Sequence, residues 1–467
     1  MLALPAARLR SYAVLTAAFP AALFIGLVTA HKPGQGAGVA VGIAYVLILL
    51  LDVAMGIALW VPIVFLAGLP ALWAAPDITT ALVLAASVGA LRVGTPAVGR
   101  VLRAHVRLFV ALGAMVAWFV SSLAWETDPA GGRSRLLALL AAAALMVVIA
   151  TMGATPRALR LIVIGFVAGG TVTVLYGLVD TQVLAPSSAA LSNAAVSGRR
   201  VDGTGGLFDP NELAAALVPA LILACAMMGV YRGAVQRLAL GLAVGVMTIG
   251  LAATESRGGF IGALVALLAA LILFKGRRGA LLLGVCTVAA GLGLWFAANP
   301  AALTRVTNYD GGGSGRTELW RMAWAMTEQH PLAGVGYGGF PAHAPSYERR
   351  VGPLKFLAVT VERPKVVHNT YLQVLAEDGI VGLVLLLGLI AAALRAAHLA
   401  AAGFDRRGSP GLAGVARAVL VGTIGFLAAA FFVSLTTDYR LWLLLGLGPA
   451  LLGIARGPLP GTPGFAR

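Results

Sequence analysis

Long apolar runs recur along almost the whole chain, and they restrict its fold more than any other feature. A helix that crosses a bilayer needs about 20 consecutive, mostly apolar residues. The sequence contains about fourteen such runs, of which two or three are marginal. They cover residues 12–30, 37–51, 53–72, 78–92, 106–125, 134–153, 158–179, 210–230, 236–254, 258–274, 279–297, 368–396, 411–434 and 438–456. Residues 37–72 are interrupted only by Asp52 and also fit one long helix plus a re-entrant piece, so we predict twelve to fourteen membrane helices.

The composition excludes an ordinary soluble protein. Of the 467 residues, 60% are hydrophobic and 11% are charged, whereas a soluble domain carries about 25% charged residues. A net charge of +16 also fits nucleic-acid binding, but most charges lie in short loops between apolar runs, where membrane topology requires them. The cysteines Cys225 and Cys286 lie inside apolar runs and are predicted to be small core residues, not a disulfide or a metal pair.

Basic residues concentrate in one set of short loops and predict the orientation of the chain. Because Lys and Arg favour cytoplasmic loops, we assign this side and both termini to the cytoplasm. The basic residues concerned are Arg8, Arg10, Arg92, Arg100, Arg103, Arg107, Arg157, Arg160, Arg232, Arg237, Lys275, Arg277, Arg278, Arg406 and Arg407. The apolar run from Tyr12 to Ala30 imitates a signal peptide, but it is long for one, and we predict an uncleaved first helix.

Two loops on the opposite side are long and are the expected place for chemistry. A loop as large as residues 298–367 is more often functional than a simple connection. Within it, residues 316–330 carry apolar side chains at helical spacing and predict a short helix. The predicted fold is an all-α polytopic membrane protein with one integral membrane domain. Its parts are membrane helices in 1–179, a loop at 180–209, membrane helices in 210–297, the large loop at 298–367 and membrane helices in 368–467.

His368 lies at the threshold of a predicted membrane helix. The lipid-like run begins only around Gly379, so at 1.5 Å per residue the imidazole lies about 16 Å before it. Asn369 or Thr370 is expected to cap this helix. From position alone, His368 is either an interfacial polar residue or a general base, because imidazole titrates near neutral pH. The neighbouring acids Glu377 and Asp378 either pair with loop arginines or tune His368.

Arg257 lies in "ATESRGGFIG", between two apolar runs and on the side where topology does not call for arginine. Two glycines follow it and suggest a close approach of the backbone. Its guanidinium either pairs with Glu255, two residues earlier, or binds a phosphate, for which its planar fork is suited.

Further arginines occur in the two long loops. Arg316, in "GGGSGRTELW", stands between a glycine-rich stretch and a predicted helix, a common but unspecific arrangement for binding anions. Arg199 and Arg200 precede "VDGTGGLFDPNELA", in which Pro210 and Asn211 are predicted to start a helix. Either arginine also fits contact with lipid headgroups.

Motifs for metal or nucleotide chemistry are absent from the sequence. It contains no Asp-x-Asp, no His/Cys/carboxylate group at metal spacing, no Walker A lysine motif and no dinucleotide fingerprint. We therefore expect neither a metal nor a cofactor. Arginines with one histidine suit a different task, the stabilisation of an anionic leaving group.

Four stretches together resemble the O-antigen ligase and polymerase superfamily of bacterial inner-membrane glycosyltransferases. They are "RRVDGTGGLFDPNELAA", "ESRGGFIGALVAL", "GRTELWRMAWAMTEQHPLAGVGYGGF" and "VHNTYLQVLAEDGIVG", and they span roughly residues 200–384. The resemblance implies about 12 transmembrane helices and a large periplasmic loop region with short helices. It implies that His368, Arg257 and Arg316 are catalytic, that Arg200 and Asn211 match a weaker pattern, and that Arg199 and Asn369 join them in binding substrate.

The resemblance also implies a reaction, a place and partners. An O-antigen ligase moves polysaccharide from undecaprenyl pyrophosphate to a sugar hydroxyl of the lipid A core, with inversion and without metal. The two long loops are then periplasmic, in a multi-pass protein of the inner membrane. The alternatives are an O-antigen polymerase, a protein O-oligosaccharyltransferase and, outside enzymes, a lipid or glycan transporter. A transporter would need ionisable residues deep in its helices, and the predicted midplanes carry almost none.

Overall fold

The computed structural model describes residues 33–67, 75–92, 96–180, 209–274, 278–307, 316–350 and 366–457, whose regular secondary structure is helical. The N-terminal helices are α1 Pro33–Leu51, α2 Val53–Phe65, α3 Ala75–Arg92, α4 Pro96–Ala104, α5 Val106–Ser122, α6 Pro129–Met152 and α7 Pro156–Asp180. The central helices are α8 Pro210–Val230, α9 Ala234–Ala253, α10 Arg257–Leu273, α11 Arg278–Ala298 and α12 Pro300–Thr307. Then follow α13 Arg316–Gln329, α14 Phe340–Tyr347, a 3₁₀ turn at Glu348–Arg350, α15 Thr370–Arg406, α16 Pro410–Ala429 and α17 Tyr439–Arg456.

The helices confirm an all-α polytopic membrane protein. Six described helices are long and apolar enough to cross a bilayer, and six shorter ones are also apolar. The long ones are Gly131–Met152, Pro156–Leu178, Pro210–Val230, Ala234–Ala253, Thr370–Arg406 and Pro410–Ala429. The predicted segment 12–30 lies outside the described residues. Residues 33–65 form two helices and not one, because Asp52 accepts a hydrogen bond from the Met55 amide and caps α2.

The central and C-terminal helices pack through small residues. The helix α16 lies against α8, α10 and α15, and α15 also packs against α17. At the crossing of α10 and α16, a Cβ on Gly262 would lie 2.7 Å from the Gly425 carbonyl oxygen, and one on Gly425 would lie 2.9 Å from the Gly262 oxygen. The two backbones are therefore in direct contact, which is the usual way in which membrane helices associate closely.

Cys225 corrects one expectation. It lies exposed on the surface of α8 and not in the core. The reason is that the outward face of a membrane helix is as apolar as its packed face, so an apolar context does not distinguish the two.

The predicted short helix within residues 298–367 is confirmed as α13. Its buried face carries Leu319, Met322, Ala323 and Met326, the four residues at helical spacing. They form a small apolar cluster with Phe340 and Tyr347 of α14 and with Val367 and Ala376 on the other side. The start of α15 is therefore held against α13 by apolar burial.

The helix α15 is interrupted at Gly379, whose φ is 68°. The break releases the carbonyls of the preceding turn, and other elements occupy them: Val335 N donates to Ala376 O at 3.0 Å, Gly336 N to Glu377 O at 2.8 Å, and Trp118 Nε1 to Asp378 O at 2.9 Å. The turn at residues 331–339 thus replaces the missing helical bonds. The break lies at Gly379, where the sequence predicts the start of the lipid-like run.

Glu377 and Asp378 hold this turn in place. Glu377 Oε1 lies 3.5 Å from Arg135 Nη1 of α6 and accepts a hydrogen bond from Phe340 N. Asp378 Oδ1 accepts a bond of 3.0 Å from Ser122 Oγ, which in turn accepts one from Tyr337 N. Both carboxylates are buried. Glu377 thus pairs with a helix arginine and not with a loop arginine, and it also accepts from Gln373 Nε2 one turn earlier.

Replacement of Gly379 by alanine is expected to destabilise the protein by at least about 2 kcal/mol. The new Cβ would lie 2.2 Å from the Leu332 carbonyl oxygen, at a φ of 68° that alanine disfavours. The measurement is thermal unfolding of the purified protein in detergent. Gly388→Ala is the matched control, because it lies in the same helix with no atom within 4 Å of its Cβ. Equal melting points for the two variants would contradict the role of the break.

Candidate functional site

The N-terminal ends of four helices meet at one place. Asp209 caps α8, Ser256 caps α10, Asn369 caps α15, and Arg316 is the first residue of α13. Each helix start carries partial positive charge and unpaired N–H groups. Their convergence produces a region suited to an anion.

His368 faces Asp209 across this meeting point. Its Nδ1 lies 3.8 Å from Asp209 Oδ2, which is ion-pair distance and longer than a hydrogen bond. The imidazole is 30% exposed, so an incoming molecule can reach it. The backbone of His368 has a φ of 55°, a conformation that is uncommon outside glycine and often found at functional sites.

The residues after His368 fix its position. Asn369 Oδ1 accepts hydrogen bonds from the amides of Tyr371 and Leu372, both at 3.0 Å, so Asn369, one of the two predicted candidates, is the cap of α15. Thr370 Oγ1 donates to Val433 O at 2.7 Å and accepts from Leu435 N at 2.9 Å. The start of α15 is thereby joined to the segment between α16 and α17.

A chain of hydrogen bonds connects Asp209 to the helix that Arg257 begins. Asp209 Oδ1 accepts from both the backbone amide and the side-chain amide of Asn211. Asn211 Oδ1 accepts a bond of 2.7 Å from Ser256 Oγ, and Ser256 Oγ accepts one of 3.1 Å from Gly259 N. Asn211 and Ser256 are both buried. Asn211 therefore aligns α8 with α10.

Arg257 and Arg316 bring two cations to the same region. Arg316 interacts electrostatically with Arg257, with Asp209 and with His368. Burial lowers the pKa of the Arg316 guanidinium from its usual value, Asp209 opposes this and Arg257 adds to it. Arginine nevertheless stays charged in proteins, and two like charges near each other favour the binding of an anion between them.

Burial and the neighbouring charges together lower the pKa of His368. Burial is the largest cause that lowers the pKa of its imidazole below the ordinary 6.5, and repulsion by Arg316 adds to it. Asp209 acts in the opposite direction and raises the pKa. The net result is an imidazole that can accept a proton at neutral pH.

A further ion cluster supports the start of α8. Arg440 of α17 donates to both carboxylate oxygens of Asp438, at 2.9 and 2.6 Å, and lies 3.8 Å from Glu212 Oε2. Arg440 is buried, and a buried arginine requires such partners. Its guanidinium is committed to these carboxylates, next to the site.

Of the residues that the sequence singled out, the structure brings together His368, Arg257, Arg316, Asn211 and Asn369. Arg199 and Arg200 lie outside the described residues. Sequence reasoning missed Asp209 and Ser256, whose one signal was the capping pattern at each helix start. Among the described residues, no group of three or more His, Cys, Asp or Glu side chains is arranged to hold a metal ion.

Asn211→Ala is expected to cost about 1–3 kcal/mol of stability. It removes the acceptor for the buried Ser256 hydroxyl and a donor to Asp209. Thermal unfolding in detergent measures the loss. The matched control is Asn299→Ala, because the Asn299 side-chain amide donates to Trp295 O, a local bond one turn back along the chain. A loss no greater than that of the control would show that Asn211 does not join α8 to α10.

Comparison with known proteins bears on the same residues. Residues 242–387 match a family model described as O-antigen ligase. This stretch includes Arg257, Arg316 and His368, whereas Asp209 and Asn211 precede it. A separate comparison with curated proteins found no match. The family match supports the assignment of this chain to the O-antigen ligase and polymerase superfamily of membrane proteins.

Proposed function

We propose that the protein is an O-antigen ligase, which transfers O-antigen polysaccharide from undecaprenyl pyrophosphate to a sugar hydroxyl of the lipid A core. The observation that carries the proposal is the convergence of His368, Arg257 and Arg316 at one site, although 111 positions separate the first and last of them along the chain (368 − 257). All three lie in the stretch that matches the O-antigen ligase model. At family level, the match implies a glycosyltransferase-like membrane enzyme that uses lipid-linked O-antigen.

In this proposal the pyrophosphate of the donor is the anion that the site accepts. Arg257 and Arg316 hold its oxygens, and the starts of α8, α10, α13 and α15 add partial positive charge. Arg199 and Arg200 are proposed to contribute from residues 180–209. Charge that develops on the leaving pyrophosphate is thus stabilised by groups already in place, which lowers the barrier without reorganisation.

His368 is the proposed general base. Because Nδ1 faces Asp209, Nε2 is the nitrogen that takes the proton of the acceptor hydroxyl. The hydroxyl oxygen forms a bond to the anomeric carbon as the bond from that carbon to the pyrophosphate oxygen breaks. The electron pair leaves with the pyrophosphate, and a single displacement inverts the anomeric centre. Asp209 is a positioning residue, since it contacts His368 and not the reacting atoms.

The site is proposed to face the periplasm, in the inner membrane, with both termini in the cytoplasm. The basic loops that are predicted to be cytoplasmic lie at the helix ends opposite to the site. For example, Arg232 and Arg237 follow the end of α8, whereas Asp209 lies at its start. The buried acids Glu377 and Asp378 lie before the break in α15, near its start. Ionisable groups of a transporter would be expected deeper in the helices.

His368→Ala is expected to lower transfer by about 10²–10⁴-fold, the usual contribution of a general base. Arg257→Ala and Arg316→Ala are expected to cost about 10²–10³-fold each, since each removes a group that stabilises the leaving anion. Arg→Lys variants should recover part of the loss, because lysine keeps the charge but not the fork. The measurement is glycan transfer by purified protein in liposomes.

Arg133→Ala is the matched control, because Arg133 is an exposed arginine near the start of α6. It should transfer at the wild-type rate. Wild-type transfer by His368→Ala would remove His368 from the mechanism.

The acceptors are purified lipid A core, a second lipid-linked glycan unit and a serine-containing peptide. Product on the core supports the ligase, product only on the lipid-linked unit establishes a polymerase, and product on the peptide a protein O-oligosaccharyltransferase.

The pH dependence of transfer follows from the charges around His368. The reaction needs neutral imidazole, and the pKa of His368 is lowered from its ordinary 6.5. The rate should therefore stay level at pH 6.5 and above, and fall only as the pH drops through this lowered pKa. Asp209→Asn removes the anion that raises this pKa. The acid limb should therefore move to lower pH, together with a lower kcat from the loss of positioning. The profile of kcat/KM against pH is the measurement.

Asp405→Asn provides the control for this profile. Asp405 pairs with Arg417 at the opposite end of α15, and its replacement should leave the acid limb where it is. A limb that moves to higher pH in Asp209→Asn, or does not move, would contradict the proposed interaction of Asp209 with His368.

A further inference from the structure

An open groove lies beside the candidate site, on the surface of α13. Its volume is about 620 Å³, which is within the range of small-molecule binding sites. It is lined by Thr317, Trp320, Arg321, Trp324, Ala325, Glu328, Arg350 and Leu372. The catalytic proposal above uses none of these residues.

The groove adjoins His368 through the chain. Trp320 Nε1 donates a hydrogen bond of 3.1 Å to Val367 O, the residue before His368. Leu372 lies in the first turn of α15, and Thr317 follows Arg316. The groove and the candidate site therefore share the starts of α13 and α15.

Two side chains of the groove are exposed yet held in one orientation. Trp324 is 54% exposed, and its Nε1 donates to Glu328 Oε1 at 2.8 Å. The guanidinium of Arg350 lies over the Tyr347 ring, 5.2 Å from its centroid. Fixed groups of this kind lose little conformational entropy when they bind a ligand.

The combination of groups fits the chemistry of a sugar. A pyranose ring has an apolar C–H face, which packs on an indole, and a rim of hydroxyls, which bond to charged planar groups. The groove offers the Trp324 ring for the face, with Arg321, Arg350 and the carboxylate of Glu328 for the rim. Mixed charge of both signs suits neutral hydroxyls better than a phosphate, which would need cations alone.

A lipid surface is the competing occupant, since tryptophan and arginine also occur at membrane interfaces. The helix α13 argues against it. Its apolar residues Leu319, Met322 and Met326 are buried within the protein, and its outer face carries Arg321 and Glu328 beside the two tryptophans of the groove. Charged side chains of both signs therefore border the indoles, whereas a surface that enters lipid would carry apolar side chains at those positions.

We propose that this groove is a saccharide subsite, which holds a pyranose unit of a glycan substrate while the reacting unit occupies the region of His368. The inference deepens the proposed function and rests on it for the identity of the glycan. The same ring chemistry is present in the core oligosaccharide and in the O-antigen chain, so the experiment treats them as separate probes.

The test measures binding without transfer, in the full-length His368→Ala protein in lipid nanodiscs. Calorimetric titration uses lipid-free core oligosaccharide in one arm and delipidated O-antigen polysaccharide in the other. An additional Trp324→Ala change should weaken Kd for one of them by roughly three- to tenfold, the value of a single aromatic contact, and Trp324→Phe should retain most of the affinity. The affected arm identifies the source of the sugar.

Trp125→Ala is the matched control, because Trp125 is also exposed but packs against Trp118 in a tilted arrangement outside the groove. Its Kd should equal that of the parent. The proposal would be overturned if Trp324→Ala left both affinities unchanged, or if the parent bound neither oligosaccharide. It would also be overturned if brominated phospholipids quenched the fluorescence of Trp324, because the indole would then lie in lipid. Binding through Trp324 without transfer by wild type would instead preserve the subsite and refute the ligase. Transfer at the same rate by the wild type and by Trp324→Ala would instead refute the subsite and preserve the ligase.

Discussion

The capping of helix starts is the constraint on which this site depends. The first N–H groups of a helix have no partner inside the helix, and within a membrane protein they cannot rely on water. Asp209, Ser256 and Asn369 supply acceptors at three adjacent starts. Each cap is next to, or within two positions of, a residue proposed for catalysis or substrate binding. The hydrogen bonds that cap the helix starts therefore also determine where His368, Arg257 and Asn211 lie.

The break at Gly379 serves the same arrangement from the other side of His368. It interrupts the helix between the first part of α15 and its lipid-like part. Backbone amides of the turn at residues 331–339 donate hydrogen bonds to the carbonyls that the break exposes. Glu377 and Asp378 attach that turn to α5 and α6. These two buried acids thus have a structural role that needs no part in proton transfer, although their burial makes their pairing essential.

Much of the fold follows from the sequence because hydrophobic length and helix caps are local signals. The start of α8 at Pro210, the start of α13 at Arg316 and the cap at Asn369 agree with prediction for this reason. The pairing of Asp209 with His368 and of Glu377 with Arg135 is not local, since more than a hundred residues separate the partners, and no periodicity encodes it. The sequence also could not predict on which side of α8 Cys225 lies, because lipid and the protein interior are alike in polarity.

The electrostatics of the site suggest how base strength and donor binding are coupled in the proposed reaction. Without an anion, Arg316 disfavours protonation of His368 and makes it a weak base. A pyrophosphate bound to Arg257 and Arg316 would offset their charge, so the pKa of the imidazole would rise towards its ordinary value. The base would then gain strength only when the donor is in place, with Asp209 favouring the imidazolium that forms. The same arginines would in this way serve both the leaving group and the timing of proton transfer.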